Sequence, residues 1–217
     1  MDKPVNQYWH LRLQNLKETL GKNHFQVYEA ADTQQAYDLV LNSIIPAISP
    51  TSISWGGSMT FVQSGLYSAL KKQASPTTID TYDRNVPPEE LLDRRRRALL
   101  VDLFITGCNA ITETGHLVNL DMIGNRVAAI TFGPRHVLLL VGRNKIVPNL
   151  KAAMQRVKDY AAPANVLRLD KKTPCSKTAR CDDCNSPDRI CNSWTITEKS
   201  FPRGRIKIVL INQDLGL

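Results

Sequence analysis

The chain has 217 residues, 42% of them apolar and 22% charged, with 28 Lys and Arg against 20 Asp and Glu for a formal charge of +8. That length supports one α/β domain with a full core, and the ordinary composition excludes a disordered, collagenous or coiled-coil chain. The longest mostly apolar stretches, Ala98–Ile105 and Val137–Gly142, are far too short to span a bilayer, and the start of the chain from Met1 carries no signal-peptide core. A cytoplasmic protein is expected.

Residues 8–20 place Trp9, Leu13, Leu16 and Leu20 on one helical face, with Gly21 as the expected cap. A strand over Phe25–Ala30 follows. Asp32 or Thr33 then caps a helix carrying Ala36, Val40 and Ile44, expected to stop before Pro46. Thr51–Trp55 reads as a strand running into Gly56-Gly57-Ser58-Met59-Thr60, and Val62, Leu66 and Ala69 mark the next helix. Thr77–Tyr82 is a strand, Pro87-Pro88-Glu89-Glu90 starts a helix, and Val101–Thr106 is a buried strand. This alternation predicts a largely parallel sheet flanked by helices.

Beyond residue 110 the pattern changes. Ile111, Leu117–Leu120, Val127–Phe132 and Val137–Val141 read as strands between Gly-containing turns, which predicts a β-hairpin region. Pro148 opens a helix with Leu150, Met154, Val157 and Ala161 on one face, expected to end near Pro163, and Val166–Leu169 reads as a short strand. A polar loop over 170–192 precedes the strands Ser193–Glu198 and Ile206–Ile211. Residues 1–217 thus read as a single α/β domain with a cysteine-rich loop.

Cys175, Cys181, Cys184 and Cys191 are spaced C-x5-C-x2-C-x6-C within that loop. In a reducing compartment such clustering favours a metal site over disulfides, and a loop so poor in apolar residues has little else to order it. Zinc sites usually carry two short knuckles, whereas four-cysteine iron–sulfur sites tolerate irregular spacing with a neighbouring proline, here Pro174. The spacing leans to a [4Fe–4S] cluster, with zinc as the alternative. Four thiolates and either centre would lower the charge from +8 to about +6.

The turn Gly56–Thr60 lets backbone approach a ligand, but it lacks the Gly-Lys-Ser/Thr of a P-loop and the glycine that a nucleophile elbow needs where Thr60 stands. Thr106-Gly107-Cys108-Asn109 begins at the C-terminal end of a predicted strand, the edge where open α/β sheets bind ligands. Glu113 is the only carboxylate between Asp102 and Asp121 and is the candidate nucleophile or base, against the commoner role of a solvated turn residue. His116 follows it closely, and Cys108 reads as a buried small residue. Gly56, Gly57, Ser58, Thr60, Thr106, Gly107, Asn109 and Gly115 form the candidate cleft for a small anionic ligand. The run Arg94–Arg97 covers every side of a helix and follows Glu89, Glu90 and Asp93, so it reads as a salt-bridged, solvated helix and no nucleic-acid partner is expected.

The runs T-G-C-N-A-I-T-E-T-G-H-L-V-N-L-D, G-N-R-V-A-A-I-T-F-G-P, G-R-N-K-I-V and P-C-S-K-T-A-R-C-D-D-C-N-S-P-D-R-I-C-N together resemble the lactate-utilisation (LUD) domain proteins, the LutC/YkgG-type group, in a branch with four C-terminal cysteines. The resemblance implies a fold related to ribose-5-phosphate isomerase, glucosamine-6-phosphate deaminase, CoA transferases and 5-formyltetrahydrofolate cyclo-ligase. It also implies an accessory role in bacterial L-lactate oxidation beside iron–sulfur oxidoreductase subunits, and leaves room for a homo-oligomer. Glu113 matches the family's Glu-Thr-Gly turn, and Gly56–Thr60 and Thr106–Gly115 match the cleft of the related folds. The alternative function is an acyl- or phosphate-ester-processing enzyme working through Glu113, with structural zinc.

Overall fold

The computed structural model describes residues 2–217, and Met1, at the head of the N-terminal stretch read above, lies outside them. Helix α1 (Asp2–Lys22) buries Leu13, Leu16 and Leu20 as their spacing predicts. It runs through Gly21 rather than ending there, and the chain turns at His24, whose φ is +67°. After β1 (Gln26–Ala30), the Asp32 side chain accepts from the Gln35 amide and starts α2 (Thr33–Leu39).

The helix does not stop before Pro46. A π-helical turn over Val40–Ile44 leads into α3 (Ile45–Ile48), which contains the proline. Proline lacks an N–H and its ring collides with the carbonyl four residues back in a regular helix. A wide turn just upstream relaxes that collision and lets the axis continue.

Strand β2 (Ser52–Trp55) enters the glycine turn, and α4 (Met59–Gln63) and α5 (Leu66–Lys71) follow, separated by Gly65 at φ +77°. Strand β3 (Thr77–Ile79) is shorter than predicted, and α6 (Pro88–Arg97) starts at its proline. Within the arginine run, Arg94 pairs with Glu90 and Asp83, and Arg97 with Glu90 and Asp93. Strands β4 (Leu103–Gly107), β5 (Ala110–Thr112) and β6 (Leu117–Asp121) come next.

Val127–Phe132 is not a strand. It lies mostly in α7 (Asn125–Thr131), opened by Gly124 at φ +87°. The β-branched residues Val127, Ile130 and Thr131 favour a strand locally, but Arg126, Val127, Ala129 and Ile130 are buried together at helical spacing. Tertiary burial overrides the local preference. Strand β7 (His136–Gly142) is consequently no hairpin arm but a central strand of the main sheet.

Strand β8 (Ile146–Val147) precedes α8 (Leu150–Arg156), capped by Asn149. A second π-helical turn over Val157–Ala161 carries the helix past Pro163 into α9 (Ala162–Arg168). Most of the strand expected over Val166–Leu169 is therefore helix, with Val166 buried. The cysteine loop contains one short turn of helix, α10 (Cys175–Thr178), and leads to β9 (Ser193–Thr197) and β10 (Ile206–Ile211).

All strand pairs of the main sheet are parallel, in the order β1-β10-β7-β4-β2-β3. The second sheet runs β8-β5-β6-β9, and its β5–β6 pair is the expected hairpin. Alternate residues of the central strands feed two cores. Val137, Leu139, Val141, Ile208 and Leu210 pack with the apolar face of α1, whereas Leu138, Leu140, Val209 and Ile211 pack with Val40, Ile44, Trp55 and Phe61. A third cluster joins Val118 and Leu120 of the second sheet to Ala153 and Val157.

A strand buried on both faces tolerates truncation on neither. Leu139→Ala and Leu140→Ala, adjacent but on opposite faces, should each lower the unfolding free energy by ~2–5 kcal/mol in urea titrations. A loss at one position only would contradict two-sided burial.

Candidate functional site

Two regions collect the residues singled out from the sequence. The first lies where β2 and β4 end, at the C-terminal edge of the parallel sheet. Gly56 is required there, because a Cβ would stand 2.9 Å from Phe104 Cζ and 3.0 Å from Arg126 Cγ. At Gly107 a Cβ would stand 2.6 Å from Ser58 Oγ. Ser58 accepts from the Phe61 amide, and its own amide donates to the Tyr82 hydroxyl at 2.9 Å. Tyr82 in turn donates to the Gly56 carbonyl at 2.6 Å. Burial pushes the Tyr82 phenol up to about 12, so it remains a neutral donor that pins the turn.

Gly56, Ser58, Thr106, Gly107 and Asn109 are thus brought together, with Thr60 following in the first turn of α4. Glu113 and Gly115 face elsewhere. Glu113 is 41% exposed and pairs with Arg12 of α1 at 2.8 Å. Gly115 rests against Thr19 of the same helix and Asn23 just beyond its end. His116 Nδ1 shares a hydrogen bond with Thr114, and the buried Cys108 thiol donates to the Ala110 carbonyl at 2.9 Å. Burial pushes that thiol up, out of the range of a reactive thiolate.

The strongest polar groups of this region are three that sequence reasoning left without a role: Arg126, Lys145 and Arg156. The buried Arg126 guanidinium donates to Asn119 Oδ1 and Asn109 Oδ1, each at 2.7 Å, to the Leu120 carbonyl at 3.0 Å and to the Gly107 carbonyl at 3.4 Å. Asp121 lies 3.5 Å from its Nε. Arg156 donates to the carbonyls of Asn109 at 2.7 Å and Asn144 at 3.0 Å, with burial drawing its pKa down. Between them these arginines hold the segment that carries the chain from the main sheet into the second one.

Lys145 is 4% exposed, and among the described residues its ammonium makes one hydrogen bond, 3.0 Å to Thr60 Oγ1. Burial pulls its pKa down to about 7, and Arg126 and Arg156 push the same way. Over it lies the segment 213–216. Thr60 Oγ1 also donates to the Leu215 carbonyl at 3.3 Å, and a Cβ on Gly216 would stand 3.0 Å from Lys145 Nζ. Thr106 Oγ1 and Asn119 Nδ2, on the elements that hold Arg126, are buried without a hydrogen-bond partner among the described residues. Arg126 and Lys145 occur in G-N-R-V-A-A and G-R-N-K-I-V, two of the runs already singled out. A charged residue directly before an apolar run, as in Arg126-Val127-Ala128-Ala129 and Lys145-Ile146-Val147, was the available signal.

The second region is the cysteine loop. Cys175, Cys181, Cys184 and Cys191 line one cavity together with Pro163, Val166, Thr173 and Ile190. No disulfide joins them, and among the described residues no three His, Cys, Asp or Glu side chains stand as close as ligands of a single ion. The loop is held from outside by charge. Asp183 pairs with Lys158 at 2.8 Å and Arg189 at 2.7 Å, Asp188 accepts from the Lys172 amide, and Arg189 donates to the carbonyls of Cys184 and Cys191. Burial pushes the Cys191 thiol up, while Lys158 and Arg189 oppose the rise. Four sulfurs around one cavity, with two cations beside them, form a donor set that suits an anionic metal–thiolate centre.

No helix of the described residues is long and apolar enough to cross a membrane. A crystal structure of a DUF162 family protein from Deinococcus radiodurans is similar in fold, with a TM-score of 0.51 at 15% identity over 94% of this chain and 98% of that one. No curated protein matches the sequence. The model of the LUD domain family matches residues 13–211, which include every strand of both sheets, and the chain belongs to that family.

Proposed function

We propose that this protein is an accessory component of L-lactate or related organic-acid oxidation, of the LutC/YkgG-type branch with four C-terminal cysteines. In this reading Cys175, Cys181, Cys184 and Cys191 hold a [4Fe–4S] cluster, and the glycine-lined cleft takes a small anionic ligand. The LUD domain family is associated with lactate utilisation, which supports the pathway. The observation that carries the metal reading is the convergence of all four cysteines on one cavity, although residues 175 and 191 lie on different arms of the loop.

A cluster bound there would supply one-electron chemistry or hold the loop in shape. The chain's own residues supply the rest. Lys158 and Arg189 offset negative charge at the thiolates, and Arg189 fixes the backbone at Cys184 and Cys191. Protein purified without oxygen should absorb at about 400 nm and contain iron and acid-labile sulfide, and Cys181→Ser with Cys184→Ser should abolish all three. Colourless protein holding one zinc per chain would assign zinc instead and remove the redox part of the reading.

A further inference from the structure

We propose that Lys145 and Thr60 form the seat of a small carboxylate, which enters by displacing the segment 213–216 that now covers them. This rests on the reading of the cleft as an anion site and names its binding residues, ligand class and mode of access.

The cationic groups carry the first part. Lys145 Nζ can donate three hydrogen bonds and, among the described residues, makes one, to a neutral hydroxyl. The groups that act electrostatically on it are Arg126 of α7, Arg156 of α8 and the neutral thiol of Cys108, and no carboxylate is among them. Asp121 is taken by Arg126, and Asp214 of the covering segment by Arg143. A buried ammonium normally has a charged partner, and a bound anion would supply one.

The covering segment carries the second part. Gln213 and Asp214 anchor it, the first accepting from the Arg143 amide and, through Oε1, from the Thr33 amide, each at 3.0 Å, and the second pairing with Arg143 at 3.0 Å. Over the seat itself the Leu215 amide donates to Asn144 Oδ1 at 3.0 Å, the Gly216 amide to Gln63 Oε1 at 2.7 Å, and Thr60 to the Leu215 carbonyl, so Leu215–Gly216 is the part a ligand must lift. The Leu215–Gly216 peptide thus presents to Thr60 a flat group with one sp2 oxygen. A carboxylate is flat in the same way, with a second oxygen free for Lys145. Gly216, at φ +66°, lies so close that even a Cβ would stand 2.6 Å from Thr60 Oγ1, so only a glycine covers the seat this tightly, and the planar group it presents there is what a planar anion replaces.

Two linkages follow. The ligand competes with the protein's own peptide, so loosening that peptide raises apparent affinity. The ligand also prefers the ammonium, and burial draws the Lys145 pKa down to about 7, so affinity should fall about tenfold per pH unit above that value.

The test is an NMR titration of the full-length protein with acetate, using inorganic phosphate as the tetrahedral control and reading the lysine side-chain carbons. Acetate should shift the Lys145 signal, raise its titration midpoint and bind more tightly than phosphate. Gln63→Ala should tighten acetate binding severalfold, Lys145→Arg should remove the pH dependence, and Lys145→Gln should abolish binding. Acetate binding equally to wild type and Lys145→Gln would overturn the seat while leaving an anion cleft elsewhere. Tighter binding of phosphate would overturn the carboxylate class. If neither anion binds to wild type or Gln63→Ala, the cleft reading itself falls.

Discussion

Lys145→Met should stabilise the protein, by on the order of 4 kcal/mol at pH 6 and by less than about 1 kcal/mol at pH 10. The folded-state pKa, about 7, lies below the ordinary lysine value of 10.5 because the ammonium is buried. Between those values the unfolded chain binds the proton and the folded chain does not, so stability rises with pH across that window. The full penalty applies below about pH 7, and raising the pH towards 10.5 removes it. Methionine fills a similar volume without a charge to desolvate. Urea denaturation of both proteins at the two pH values gives the difference. An equal gain at both would mean that Lys145 is not the titrating group, and a loss of stability at pH 6 would mean that its ammonium is already well compensated.

Arg126→Ala, in the same neighbourhood, should act in the opposite direction and lower stability by ~3–5 kcal/mol. The two buried cations differ in their partners. Arg126 donates to four oxygens and faces Asp121, so its removal takes a hydrogen bond from Asn109, from Asn119 and from the Leu120 and Gly107 carbonyls in a dry interior and leaves Asp121 without its cation. Arg126→Lys should recover little, since a single ammonium cannot span acceptors placed for a planar fork. Denaturant titration gives the total, and hydrogen exchange on β5 and β6 locates it. A loss under about 1 kcal/mol would mean that water replaces the guanidinium.

Much of the main sheet was legible because parallel strands buried on both faces read as continuous apolar runs, as in Val137–Val141 and Ile206–Ile211. The errors arose where a local signal opposed a tertiary one. Val127, Ile130 and Thr131 look like a strand, and only their packing beside Arg126 makes them a helix. That misreading also placed Arg126 in a turn, where a charge needs no explanation. Pro46 and Pro163 look like helix stops, because nothing in the composition of Val40–Ile44 or Val157–Ala161 announces a π-turn. The glycine turn and the cysteine loop were visible since glycine and cysteine are distinctive types. Lys145 was not, because its importance lies in the carboxylate that is missing from its surroundings, which spacing along one chain does not encode.

Strand β10 lies between β1 and β7, with Ile208 beside both Val27 and Leu139. On the ribosome, then, β1 emerges about 180 residues before the strand that joins it to the sheet, a wait of roughly 10–35 s at ordinary rates of synthesis. Once β7 (His136–Gly142) has been made, both it and β1 present unpaired edges facing a gap one strand wide until Ile206 arrives. The nascent chain therefore spends the stretch of synthesis from Gly142 to Ile206 with an open slot that any extended peptide could fill, and a chaperone that shields β7 until β10 arrives would raise its yield more than one acting after release.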